Sequence, residues 1–232
     1  MIVKKFIVVC VLNILSVLSS NAASLNINGI AGGGNYKFFV TSFVERRFKT
    51  IYKQQLDYSC GSAALASLLT FHYEDTVDEQ SVFSDMYERG DKNRIQKLGF
   101  SLLDMKRYLK RRGYRSNGFK INLDQLINAN VPALTIINNK GYLHFVIIKG
   151  VSEQEVLVGD PASGLRVMPR DKFVEIWEHR ILFLIGDKKH IGGSHFQDER
   201  EWRVEGKVAL ATAIDRRSLA LFNVLRQGNS GF

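Results

Sequence analysis

Two cysteines and five histidines are all that this 232-residue chain offers for thiol chemistry, so each can be weighed in turn. Cys10 lies in an apolar run near the start, while Cys60 sits in QQLDYSCGSAALASLL, residues 54–69. A helix opening at Ser59 or Cys60 is predicted to run to about Phe71, with Leu65, Leu68 and Leu69 at helical spacing. A sulfur at that helix start faces the positive end of the dipole and unpaired backbone N–H groups, which favour thiolate over thiol. Ala63, Ala64 and Ala66 keep the helix surface lean, as a site that a peptide backbone must approach requires. The plainer reading is a buried cysteine in a closely packed helix.

A cysteine nucleophile needs an imidazole to take its proton and return one to the leaving amine. His72 stands 12 residues beyond Cys60 on the same predicted helix, about 18 Å along the axis, too far to serve. His190 and His195 fall in a polar segment, and His179 falls among charges at a helix end. His144 instead interrupts the apolar strand YLHFVII just after a turn. Such a histidine is ordinarily a hydrogen-bonded core residue. A carboxylate within reach changes that: the next strand ends in Gly159-Asp160-Pro161, and adjacent antiparallel strands can bring Asp160 alongside His144. Asp160 would then orient the imidazole and support its charge, although Asp-Pro alone reads as a turn. The oxyanion donor is Gln54 or Gln55, and spacing alone does not separate them.

The elements that must position these residues divide into two halves. The first is helical: the Cys60 helix, a second helical stretch from about Val77, and SLLDMKRYLKRRG (101–113). In that last segment Ser101 and Asp104 form a capping pair, Leu102, Met105 and Leu109 an apolar face, and Gly113 the stop. A short helix over LDQLINA follows Asn122. The texture then turns to strands: VPALTII (131–137), a turn at Asn138-Asn139-Lys140-Gly141, YLHFVIIKGV (142–151), EVLVGD (155–160) and GLRVMP (164–169). A helix near DKFVEIWEHR and a strand ILFLIG (181–186) close an α+β domain spanning about residues 45–187.

Outside that domain, residues 1–23 carry Lys4 and Lys5, an apolar run and a small-residue site, the form of a secretory signal cleaved after Ala22 or Ala23. An uncleaved inner-membrane anchor is the rival reading. Residues 24–44 read as a linker around Gly32-Gly33-Gly34, and 188–232 as a C-terminal extension. Within that extension IDRRSLALFNVLR is predicted as an amphipathic helix that docks on its own domain, a membrane surface or a partner. If the signal is removed, Cys60 is left without an intramolecular disulfide partner, despite export. The formal charge of +9 could favour acidic partners. No phosphate-binding loop or aromatic-interleaved basic module accompanies it, which argues against ATP and nucleic acid.

Taken together, QQLDYSCGSAALASLL, GYLHFVIIKG and VLVGDPASG resemble the papain-like, bacteriocin-processing cysteine peptidases that remove double-glycine leader segments, over about residues 50–187. The resemblance implies a papain-like fold, with the cysteine on the helical half and the histidine and aspartate on the antiparallel sheet half. It also implies an oxyanion Gln six positions before the Cys and an Asp 16 after the His, which selects Gln54 over Gln55 and adds Cys60, His144 and Asp160. No metal or other cofactor is implied. An export signal in place of exporter domains resembles the standalone periplasmic peptidases of functional-amyloid (Fap) secretion systems. The expected substrate is a protein or peptide with a Gly-Gly or Gly-Ala site, and components of amyloid secretion are the expected partners. The alternatives are a chaperone or adaptor that binds such a segment without cutting it, and an acyl transferase on the same scaffold.

Overall fold

The structure, a computed structural model, describes residues 24–28, 35–39, 43–56 and 58–203. The signal segment, the Gly32-Gly33-Gly34 run and the helix expected over IDRRSLALFNVLR lie outside the described residues. The chain divides into two units, Met1–Arg46 and Arg47–Phe232. In the first, β1 (Ser24–Asn28) and β2 (Asn35–Phe39) pair antiparallel, with Leu25 opposite Phe38 and Ile27 opposite Tyr36. The glycine-rich composition did not suggest this pairing. Helix α1 (Phe43–Arg47) follows.

The second unit opens with four helices: α2 (Cys60–His72), α3 (Glu79–Arg89), α4 (Lys92–Leu98) and α5 (Leu102–Arg111). Helix α2 is apolar on all sides and almost wholly buried, the state of a helix at the centre of a core. Its buried Ser67 donates to the Ala63 carbonyl at 2.6 Å and accepts from the Tyr52 N–H at 2.8 Å. That second bond ties the chain ahead of Cys60 to the helix that carries it. Helix α5 has the expected reciprocal cap between Ser101 and Asp104, and its apolar Met105 and Leu109 are buried. Helix α4 was not foreseen: its one buried residue, Ile95, gives no periodic signal in seven residues.

Next come β3 (Ser116–Phe119), α6 (Leu123–Ala129), β4 (Ala133–Asn139), β5 (Tyr142–Val151), β6 (Glu155–Asp160), β7 (Gly164–Pro169), α7 (Arg170–Ile176) and β8 (Leu182–Ile185). Six strands form one antiparallel sheet in the order β3-β8-β4-β5-β6-β7. The hairpin of β4 and β5 turns at Lys140 and Gly141, both at positive φ (53° and 89°), with Asn139 opposite Tyr142. Positive φ at both central residues matches the twist of the flanking strands. One sheet face, through Phe145, Ile147, Leu134 and Phe183, joins the core of α2, α3 and α5. The other, through Val146, Ile148 and Val158, packs with α6 and α7. Edge strand β3 is short, lacks branched residues and exists by its pairing with β8, so its own sequence gave little notice of it.

Two further helices, α8 (Lys189–Ser194) and α9 (Glu199–Trp202), lie in the stretch expected as an extension. Phe196 between them is buried with the second core cluster. The α+β class and its division of labour are as expected: Cys60 on the helical half, His144 and Asp160 on the sheet.

Candidate active site

Cys60 is the first residue of α2, but Ser59 does not cap that helix with its side chain. Its hydroxyl is committed elsewhere, to the buried Glu79 carboxylate at 2.6 Å and the Leu56 carbonyl at 3.0 Å. The first turn of α2 presses on β5: a Cβ added at Gly61 would stand 2.8 Å from Met105 Cε and 3.4 Å from Phe145 Cδ2. Glycine is what lets the Cys60 helix approach the strand this closely. The backbone N–H groups of Phe145, the residue after His144, and of Gly61 lie near enough to the Cys60 sulfur to favour its charged form.

The thiol nevertheless departs from the expectation that the helix start makes it acidic. Burial pushes it up, the N–H groups of Phe145 and Gly61 pull against that, and the Asp160 charge pushes it further up, so the net direction is upward. With Cys60 only 6% exposed, lost hydration outweighs the oriented amides. Ionisation of this sulfur must therefore be assisted.

His144 and Asp160 meet as the strand register requires. Ile147 opposes Gly159, which sets Asp160 diagonal to His144 on one face. His144 Nε2 lies 3.2 Å from Asp160 Oδ2, and both side chains are buried. Nδ1 of His144 is buried without a hydrogen-bond partner. The other carboxylate oxygen of Asp160 accepts the Ala162 N–H at 2.8 Å, an Asx turn across Pro161. Burial alone would raise the Asp160 carboxyl, but the His144 hydrogen bond and charge, the Ala162 amide and the Arg166 charge outweigh it and hold it at about 2.

The two glutamines separate clearly. The Gln54 N–H donates to the Pro161 carbonyl at 3.0 Å, so Gln54 is joined to the turn just after Asp160, and its Oε1 is buried without a partner. Gln55 is exposed and lines a cavity of about 270 Å³ with Leu56, Ser59, Glu79 and Phe83. The other histidines stand elsewhere. His72 is buried at the far end of α2, with both ring nitrogens unpartnered and its basicity lowered well below the usual range by burial and by Lys149. His195 pairs with Glu74 at 3.1 Å, and His179 and His190 are exposed. The sequence reading missed the Phe145 amide, Glu79 and Arg166. Of these only Arg166 left a trace, an arginine in the alternating strand that follows DPASG.

Among the described residues, no group of three or more His, Cys, Asp and Glu side chains is placed to hold a metal ion. The arrangement is a buried thiol at a helix start, close to a strand whose histidine is bound to a carboxylate. Such a set can run acyl transfer through a thioester.

Comparison with known proteins agrees. The profile of the peptidase C39 family matches residues 48–189. The chain is 37% identical to the "Probable functional amyloid protease FapD" of Pseudomonas aeruginosa, across 73% of this chain and 75% of that one. It is 36% identical to the protein of the same name from Pseudomonas fluorescens, across 72% of this chain and 74% of that one. Among solved structures, the peptidase domain of Streptococcus ComA, a bi-functional ABC transporter involved in quorum sensing, aligns at TM-score 0.49 and 18% identity. That alignment covers 59% of this chain and 96% of that one. A double glycine motif protease from an AMS/PCAT transporter, solved with its leader peptide, aligns at TM-score 0.47 and 21% identity, across 58% of this chain and 89% of that one. A family match over more than half of the chain, together with these two relatives, leads to one conclusion: the chain belongs to the peptidase C39 family and is a cysteine peptidase.

Proposed function

We propose that this peptidase acts in the periplasm as an endopeptidase on a component of a functional-amyloid secretion system, cutting after a Gly-Gly or Gly-Ala pair. The signal-like residues 1–23 support export, and the name shared by the two Pseudomonas relatives supports the amyloid substrate. The observation that carries the catalytic assignment is the buried His144–Asp160 pair beside the strand position whose amide meets the Cys60 sulfur.

The proposed steps follow from those contacts. Asp160, acting on Nε2, leaves Nδ1 of His144 to take the Cys60 proton as the sulfur attacks the carbonyl carbon. The oxygen gains the charge and is met by the Cys60 backbone N–H and the Gln54 amide. His144 then passes its proton to the departing nitrogen, the C–N bond breaks, and a thioester remains. Water attacks that thioester with His144 as base, releasing the carboxyl product and restoring the thiol. Because burial raises the thiol, the sulfur is a poor nucleophile until the imidazole accepts its proton, which makes His144 indispensable to the first step.

Terminal-peptide mapping of exported proteins in cells carrying the wild type or Cys60→Ala tests this reading. New termini after small residues in an amyloid-system protein, present only with the active form, are the expected result. Identical termini in both strains would overturn it, and a bound but uncut partner would identify a binding module.

A further inference from the structure

Asp160 makes a contact that a three-residue relay does not need. Arg166 Nη2 lies 3.2 Å from Asp160 Oδ2, the same oxygen that meets His144 Nε2. The register explains how it reaches. Asp160 opposes Gly164 and Val158 opposes Arg166, so Asp160 and Arg166 are diagonal neighbours on one face of the β6–β7 pair. Gly164 sits at a φ of +83°, which suits glycine, and a Cβ there would stand 2.7 Å from Arg47 Cβ. Arg166 also keeps its Nε buried without a partner. Leaving a guanidinium N–H unsatisfied is unfavourable, so the side chain is held where it meets Asp160 and not where its own hydrogen bonding would be complete.

We infer that Arg166 is a positioning residue of the peptidase: sharing Oδ2 of Asp160 with the imidazole, it balances the Asp160 charge and keeps His144 oriented yet free to accept the Cys60 proton. The charge count supports this. While Cys60 holds its proton and His144 is neutral, Asp160 is a buried anion, and Arg166 is the cation that offsets it. Without Arg166 the uncompensated carboxylate would draw a proton onto His144, and a protonated imidazole cannot take one from the thiol. The imidazole meets Asp160 of β6 and, on its own strand, Tyr142, whose ring centroid is 5.6 Å away; Asp160 in turn meets Arg166 of β7, and its charge bears on the Cys60 thiol of α2. Arg47 packs against the Gly164 end of the same pair.

The inference rests on the pairing of His144 with Asp160, but its test needs no turnover. In the Cys60→Ala protein, the His144 ring is followed by nitrogen NMR against pH, with Arg166 intact or replaced by Met or Lys. Losing the cation lets the ring hold its proton to higher pH. The Met variant is therefore expected to shift the midpoint up by about half to one pH unit, and the Lys variant to restore most of it. Should the Met protein not fold, Arg166→Gln keeps a donor without the charge and makes the same measurement. An unmoved or lowered midpoint, or Lys behaving like Met, would overturn the inference. In the active enzyme the same substitutions should move the acid limb of kcat/KM upward with KM little changed. Absence of hydrolysis by wild type would count against the proposed function alone.

Discussion

At the scale of single residues, burial and partners decide protonation here more than backbone position does. The helix start does supply N–H groups to Cys60, yet desolvation outweighs them and the thiol is raised. Asp160 is the opposite case, held at about 2 because His144, Ala162 and Arg166 together outweigh burial. Its folded value lies below the ordinary 3.8, so the carboxylate stabilises the fold above about pH 4, and that contribution is lost as the pH falls toward 2. The difference amounts to about 2 kcal/mol. Urea unfolding of wild type and Asp160→Asn should therefore show a stability gap that narrows by about that amount between pH 5 and pH 2. The same variant should keep Cys60 reactive to strong alkylators yet lose on the order of a hundredfold or more in kcat, since an amide supports the imidazolium poorly. Of the four assigned side chains, each was readable as a residue type. The Arg166 contact was not, because it depends on the register that sets Asp160 and Arg166 diagonal across a strand pair.

Among the elements, the join between α2 and β5 sets how the start of the Cys60 helix meets the strand that carries His144. Gly61 is the hinge point of that join, with Met105, Phe100 and Phe145 all within 3.4 Å of where a Cβ would sit. Gly61→Val is expected to leave the chain folded, at a cost of about 1–3 kcal/mol from overpacking, while kcat/KM falls at least tenfold through displacement of the sulfur. Circular dichroism and peptide hydrolysis measured on the same sample check both halves. The strands were read from sequence with little error: β5, β6 and β7 occupy the expected residues, because dense branched residues between glycine and asparagine turns are a local signal. Helix α5 was equally legible through its reciprocal cap. Helix α4 and strand β3 escaped, since each is defined by what it packs or pairs with.

Over the second unit as a whole, the C-terminal segment beyond β8 belongs to the body that holds the site. Lys149 occupies a bulge in β5, between Ile148 and Gly150, and is fully buried. Its ammonium meets the Thr50 carbonyl at 3.0 Å, the Thr50 hydroxyl at 2.8 Å and Glu201 of α9 at 2.6 Å. Trp202 closes over Gly150, where an added Cβ would stand 2.9 Å from the ring, and the Gln197 N–H donates to the Lys149 carbonyl at 2.8 Å. Burial lowers the Lys149 ammonium, and Glu201 opposes that. Glu201→Ala strands a buried cation and should cost about 3–5 kcal/mol, whereas Lys149→Met with Glu201→Leu should recover most of the loss. Thermal or urea unfolding of the single and the double variant gives the comparison, and equal losses in both would refute it. The residue types for thiol chemistry, the spacing of Gln54, Cys60, His144 and Asp160, and the sheet that carries the last two were set by the chain alone, because periodicity and turn residues act locally. How Gln54 is joined to the turn after the aspartate, whether the thiol keeps its proton, and how Arg166 and Lys149 are neutralised were decided only by the tertiary structure. Desolvation and charge pairing depend on neighbours that the chain brings together from distant positions.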